Sequence, residues 1–172
     1  MTSSFKNQLY INGKWVDSVD GGTFDTINPA NGCVITKVAN GTKIDIDLAV
    51  QAAKTCLNGP TWGYASTGKE RAVVLRRLGV LVTARKDELA RLDSLDQGKP
   101  LRESEADIND TITACEHFAM LAETHDTHIE TIDNGAGGDF STIVVHEPIG
   151  VVAGNTNFSL DLNLLLSYIV SY

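Results

Sequence analysis

Leu95-Asp96-Gln97-Gly98-Lys99-Pro100 is the stretch from which the rest of the chain can be ordered. Gly98 can take the left-handed conformation that closes a helix, and Pro100 cannot extend one. Upstream, Leu89, Leu92 and Leu95 keep helical spacing after a break near Lys86, and Leu75, Leu78 and Val82 keep it before that break. Thr67 and Glu70 form a capping-box pattern, in which hydroxyl and carboxylate each satisfy a backbone N–H that a helix start leaves without a partner. Downstream, Ile108, Ile112, Cys115, Ala119 and Ala122 step by four, three, four and three residues. That spacing stacks them on one helical face, which must pack on another element.

Further towards the N-terminus, Leu48, Ala49, Ala52, Ala53, Cys56 and Leu57 mark one buried face of a helix that starts near Thr42 and stops at Asn58-Gly59-Pro60. Before it the period is that of strands. Leu9-Tyr10-Ile11 and Lys14-Trp15-Val16 flank Asn12-Gly13, a dipeptide suited to a tight hairpin turn. Phe24 to Ile27 and Cys33 to Val38 flank the turn signal Asn28-Pro29-Ala30-Asn31-Gly32. After Thr127, Ile129 to Ile132 and Ser141 to Val145 read as a long hairpin around a glycine-rich turn. Ile149-Gly150-Val151-Val152-Ala153-Gly154 suits a buried strand of a parallel sheet. The fold class is therefore α/β, divided into residues 1–126 (hairpins and helices), 127–148 (a hairpin) and 149–172 (a strand and an apolar tail). The tail from Phe158 to Tyr172 fits strand or helix, and as an uncovered apolar run it is an aggregation hazard.

Composition removes several function classes. An apolar content of 42% belongs to a globular protein, and a net charge of −8 without cationic clusters argues against nucleic-acid partners. The apolar tail carries Asp161 and is too short to span a bilayer, so no membrane partner is expected. Cys33, Cys56 and Cys115 show no paired spacing. With no targeting segment near Met1, they point to a reducing cytosol or organelle matrix.

Apparent motifs dissolve on inspection. Gly63 to Lys69 imitates a phosphate-binding loop, but Glu70 stands where a magnesium-binding hydroxyl is needed. Gly135-Ala136-Gly137-Gly138 precedes a strand rather than a helix and reads as a turn. His117, His125 and His128 lack the spacing of metal ligands. Cys56 and Cys115 fall on apolar helix faces, where a thiol is packing rather than nucleophile.

Taken together, Tyr10 to Trp15, Thr26 to Gly32, Leu95 to Pro100 and Glu147-Pro148-Ile149-Gly150-Val151-Val152 resemble, in order and spacing, the opening of the NAD(P)-dependent aldehyde dehydrogenase superfamily. The resemblance implies the N-terminal hairpin and helices of that fold, together with the first strand of its Rossmann-like cofactor domain at 149–152. It further implies an aldehyde substrate, NAD or NADP as cofactor, and homo-oligomers bridged by the segment 127–145. Backbone carbonyls at Thr26 and Ile27 and the carboxylate of Asp107 match a structural monovalent-cation site of relatives. By their residue types alone, Asp107 is a solvated helix residue and Thr26 and Ile27 are ordinary strand. Asn157 matches the family's oxyanion-hole asparagine, whose amide can donate to a developing alkoxide. The surrounding Asn155-Thr156-Asn157-Phe158 lacks the Pro and Trp of the family motif and aligns only after a short deletion.

The family's cysteine nucleophile and glutamate base belong to segments beyond residue 172. The expectation is thus a truncated portion of an aldehyde dehydrogenase, inactive alone. A second expectation is an interaction module pairing with full-length subunits through Ser141 to Val145, and a third is a structural domain without cofactor.

Overall fold

A computed structural model describes residues 6–125, 130–132, 142–144 and 147–154. The chain opens with β1 (Leu9–Ile11) and β2 (Lys14–Val16), antiparallel and joined at Asn12-Gly13, whose φ angles of 51° and 75° are those of a primed two-residue turn. The Tyr10 and Trp15 rings, directly opposite in register, lie 5.0 Å apart. A second ribbon follows, β3 (Thr23–Ile27) with β4 (Val34–Ala39), carrying a bulge at Thr26/Ile27 and a Lys37–Asp25 ion pair at 2.6 Å.

Four helices come next: α1 (Lys43–Leu57), α2 (Gly68–Ala84), α3 (Lys86–Gln97) and α4 (Leu101–His125), with a 3-10 turn at Gly63–Ala65. The capping box expected at Thr67 and Glu70 opens α2: the Glu70 carboxylate accepts from the Thr67 N–H at 2.8 Å, and the Glu70 N–H donates to the Thr67 hydroxyl. The same device opens α1, where Thr42 caps and Asp45 answers. Finally β5 (Glu130–Ile132) pairs antiparallel with β6 (Thr142–Val144). That pairing is the hairpin expected between residues 129 and 145, over the part of it that is described.

The core lies between α2 and α4. Ala72, Leu75 and Val82 from one helix meet Ile108, Cys115 and Ala119 from the other, and Ala90 of α3 joins at one end. Ile108, Cys115 and Ala119 of α4 are buried where its spacing marks them, with Ile112 and Ala122 packed at the margin, and the polar Ser104 and Thr111 are buried on the same helix. Close approach is set by Gly79: a Cβ there would lie 3.3 Å from Cys115 Cβ. Arg76 then crosses from α2 to α4, its guanidinium 2.6 Å from Glu123 and 3.1 Å from Glu116.

A polar cluster fastens the hairpin end to α1. Asp45, 2% exposed, accepts from the Thr42 hydroxyl at 2.7 Å, the Thr42 N–H at 2.8 Å, and the Val19 N–H and Ser18 hydroxyl at 3.1 Å each. The Thr42 hydroxyl, then the Thr42 and Val19 N–H groups and Ser18, hold its carboxyl below the usual 3.8, against the opposing effect of burial.

The apolar face expected to bury α1 is left open. Leu48 is 50% exposed and Cys56 is exposed, while Ala49, Ala52, Ala53 and Leu57 are half-buried, β1 and the 3-10 turn being the elements most in contact with that helix among the described residues. Residues 147–154 likewise run without strand pairing, with Ile149 69% exposed. A parallel strand is buried by neighbours on both edges, and no such neighbour is among the described residues. No helix of the described residues is long and apolar enough to cross a membrane.

Replacing Gly79 with Val is expected to force α2 from α4 and destabilise the chain by about 1–3 kcal/mol in urea unfolding; an unchanged midpoint would show that the contact is loose. Asp45 has a lowered pKa when folded, so its contribution is fully present above the unfolded value of 3.8 and is lost below it, as pH falls through the lower folded value. Asp45→Asn should therefore have a lower Tm than the parent at neutral pH, with the gap closing on acidification. A gap independent of pH would mean that the carboxylate charge plays no part.

Candidate functional site

The most constrained constellation is the elbow between α3 and α4. Gly98 caps α3 at φ 75°, its N–H reaching the Ser94 carbonyl at 3.0 Å, and a Cβ on it would fall 2.6 Å from Pro29 Cγ. Left-handed backbone and the close approach of Pro29 each require glycine here. The Ser94 hydroxyl donates to the Lys99 carbonyl at 2.7 Å, and the Pro100 carbonyl accepts from Glu103 and Ser104 to start α4.

This arrangement aims the Lys99 ammonium between two helices. Nζ lies 2.9 Å from Asp93 Oδ2 on α3 and 2.5 Å from Asp107 Oδ2 on α4. The three side chains are 19%, 18% and 27% exposed, so water screens them little. Gln97 donates to the other Asp93 oxygen at 2.7 Å. Asp93 Oδ2 is fully shielded from solvent and has no hydrogen bond. Its partner there is the Lys99 ammonium, 2.9 Å away.

Asp107, expected to face a monovalent cation, thus faces an ammonium. Thr26 and Ile27 sit at the β3 bulge, Ile27 half exposed, and the contact the structure shows between that hairpin and the elbow is made by Pro29 on Gly98. Asn157 lies outside the described residues, as do Gly135 to Gly138 and His128. Lys99 and Asp93 carry no role in the reading of the sequence, where Gly98-Lys99-Pro100 is a helix stop. The pairing depends on the angle between α3 and α4, which no local pattern encodes.

Other reactive groups are dispersed. Among the described residues no three His, Cys, Asp or Glu side chains gather as a metal cluster. Cys115 is 1% exposed and burial pushes its thiol up, while Cys33 and Cys56 are exposed. Cys56 is thus on the surface rather than in the packing expected of it. His117 stands edge-on to Phe118 at 5.4 Å. An open groove of about 390 Å³ runs between the first hairpin and α1, lined by Ile11, Val16, Val19, Leu48 and Ala52 with Asp45 at its wall.

The fold overlays the betaine aldehyde dehydrogenase of Staphylococcus aureus, solved with NAD+, at a TM-score of 0.71 and 36% identity, covering 76% of this chain and 25% of that one. A putative aldehyde dehydrogenase from Burkholderia cenocepacia overlays at 0.68 and 40% identity, covering 76% and 26%. In sequence, aminoaldehyde dehydrogenase 2 of Solanum lycopersicum is 39% identical over 155 residues, 90% of this chain and 30% of its own length. The peroxisomal aminoaldehyde dehydrogenase 2 of Pisum sativum is 43% identical over 148 residues, 84% of this chain and 29% of its own. Residues 15–171 match the aldehyde dehydrogenase family. The chain belongs to that family, and it spans about 30% of the length of these relatives.

A thiol reagent such as a chromogenic disulfide is expected to modify Cys33 and Cys56 in the folded chain and Cys115 only after denaturant is added. Rapid reaction at Cys115 would show that the α2–α4 core opens readily.

Proposed function

We propose that this chain is the N-terminal portion of an enzyme that oxidises an aldehyde to a carboxylic acid with NAD+ or NADP+. The observation that carries the reading is the family match over residues 15–171, together with 39% and 43% identity to aminoaldehyde dehydrogenases. Such an oxidation needs a thiolate nucleophile, an activated water and a hydride acceptor. The nicotinamide accepts the hydride when bound. The described residues form no cradle for it: Ile149, Val151 and Val152, expected to open the cofactor sheet, are exposed and unpaired.

Residues 1–172 alone are expected to be inactive. Burial holds Cys115 as a neutral thiol, and Cys33 and Cys56 stand on a turn and a helix surface. The chain's part in the reaction is to hold the helical pair and the segment 147–154 in place. Asn157 would supply an amide to the developing alkoxide. Betaine aldehyde and aminoaldehydes are the substrate classes that the relatives' names point to.

A second reading, pairing with whole subunits of such an enzyme or with copies of this chain, is favoured by the isolated β5–β6 ribbon. A two-stranded ribbon offers unpaired edges, and its Ile143 is 58% exposed.

The test is a chimera in which residues 1–158 replace the matching portion of the tomato aminoaldehyde dehydrogenase. It should reduce NAD+ or NADP+ in the presence of an aldehyde, whereas residues 1–172 alone should not. Asn157→Ala in the chimera should lower kcat by about 10²–10³-fold. A folded chimera without activity would remove the enzymatic reading, and an unchanged kcat in Asn157→Ala would remove that residue's role.

A further inference from the structure

We propose that Asn40-Gly41, between β4 and α1, is a site of spontaneous deamidation, converting to isoaspartate or aspartate ahead of the other Asn-Gly pairs among the described residues. The proposal is independent of the catalytic reading above. It rests on how differently the fold restrains chemically identical dipeptides.

Asn-Gly favours this reaction because glycine carries no Cβ beside the attacking backbone nitrogen. The Gly nitrogen gives up its proton to water and attacks the Asn side-chain carbonyl carbon, Cγ. A bond forms between that nitrogen and Cγ, the bond from Cγ to Nδ2 breaks, and Nδ2 leaves as ammonia with a proton supplied by water. Water then opens the five-membered imide. Addition at Cγ gives aspartate, and addition at the main-chain carbonyl gives isoaspartate, in which the chain runs through Cβ and Cγ. The balance is water in and ammonia out, with nothing oxidised or reduced.

Asn12-Gly13, Asn31-Gly32, Asn40-Gly41 and Asn58-Gly59 are the four described pairs, and all four asparagines are exposed, so water reaches each. A fifth pair, Asn134-Gly135, lies outside the described residues. Ring closure needs the Gly nitrogen brought into near-contact with Cγ, which means turning the peptide plane between the two residues. Asn12, at φ 51°, stands in a two-residue turn closed by the Ile11–Lys14 pair, so turning that plane would break the hairpin. At Asn31 the plane is pinned twice: the Gly32 N–H donates to the Asn28 carbonyl at 2.8 Å, and Asn31 Oδ1 accepts from the Cys33 N–H at 2.9 Å. At Asn58 the Gly59 N–H donates to the Cys56 carbonyl at 3.0 Å, and Nδ2 donates to the Lys54 carbonyl at 2.8 Å.

Asn40 has neither kind of restraint. Among the described residues its side-chain amide makes no hydrogen bond, and nor does the Gly41 N–H. The Asn40 N–H donates to the Gly22 carbonyl at 2.9 Å and the Thr42 N–H to Asp45 Oδ2 at 2.8 Å, so the chain is anchored on either side of one loose peptide plane. That plane can turn without breaking either contact, since glycine accepts φ of either sign. Isoaspartate there lengthens the main chain by one carbon between the two anchors and adds a negative charge. It therefore alters how β4 delivers the chain to the cap of α1.

Incubation of the 172-residue chain at mildly alkaline pH, folded and in urea, tests this, with peptide mapping by mass spectrometry to follow each site and separate isoaspartate from aspartate. In the folded chain, conversion at position 40 should outpace that at 12, 31 and 58 by roughly two- to tenfold, the factor that one hydrogen bond represents. In urea the four rates should converge, because the dipeptide is the same. A Cβ at Gly41 would stand at an ordinary 3.6 Å from Leu9 Cδ2, so Gly41→Ala is accommodated. It should slow conversion at position 40 and leave the other three sites unchanged. The proposal is overturned if any of those three keeps pace with position 40 in the folded chain, or if the lead of position 40 persists undiminished in urea. A Gly41→Ala chain that converts there as fast as the parent would overturn it too.

Discussion

Everything else in this structure is hung on the contact between α2 and α4, and that contact depends on how little side chain stands between them. Ala72, Gly79, Cys115 and Ala119 are small, so the two helices approach closely enough for Leu75, Val82 and Ile108 to close the ends of the seam. Interiors are close-packed, and a methyl group added at the centre of such a seam has nowhere to go. The seam is long and narrow rather than deep. Val73, Val74, Val80 and Leu81 on the other side of α2 are exposed, so one helix presents two apolar faces, of which the described residues bury one.

Polar anchors do for the remaining elements what packing does for this pair. Asp45 gathers Ser18, Val19 and Thr42, and so ties the end of the first hairpin to the start of α1, although few apolar side chains join those elements. Lys99 ties α3 to α4 in the same manner. Arg76, held by Glu123 and Glu116, sits at the rim of the seam. Its forked guanidinium suits two carboxylates on one helix, where a lysine would meet a single one. Pairs as exposed as these contribute modestly to stability, and their clearer effect is to fix which turn of α2 faces which turn of α4.

How much of this was legible in the sequence follows from the range of the forces involved. The turn at Asn12-Gly13, the capping box at Thr67 and Glu70 and the left-handed stop at Gly98 are set by neighbours within a few residues, and each stands where the sequence puts it. The buried face of α4 was legible for the same reason, since a single period carries it. The face of α1 was legible as a pattern but not as burial: Leu48 and Cys56 are apolar in register, yet what would cover them is not among the described residues. For the elbow, Asp93 and Lys99 had no role in the reading of the sequence. Lys99 belongs to a stop signal that explains its surroundings without assigning its charge, and the approach of Asp93 depends on an interhelical angle that periodicity does not determine.

The open surfaces and the anchors bear on one another. Three two-stranded ribbons, each marginal as an isolated hairpin, accompany a helical seam that is the one sizeable core among the described residues. An element that buries little apolar area is placed by directional contacts or not at all. The first hairpin has Asp45 to place it, and the second is seated by Pro29 on Gly98. The first of those contacts stands at one wall of the apolar groove beside α1. In a family whose members run to about three times this length, the orientation of such faces determines what can pack against them.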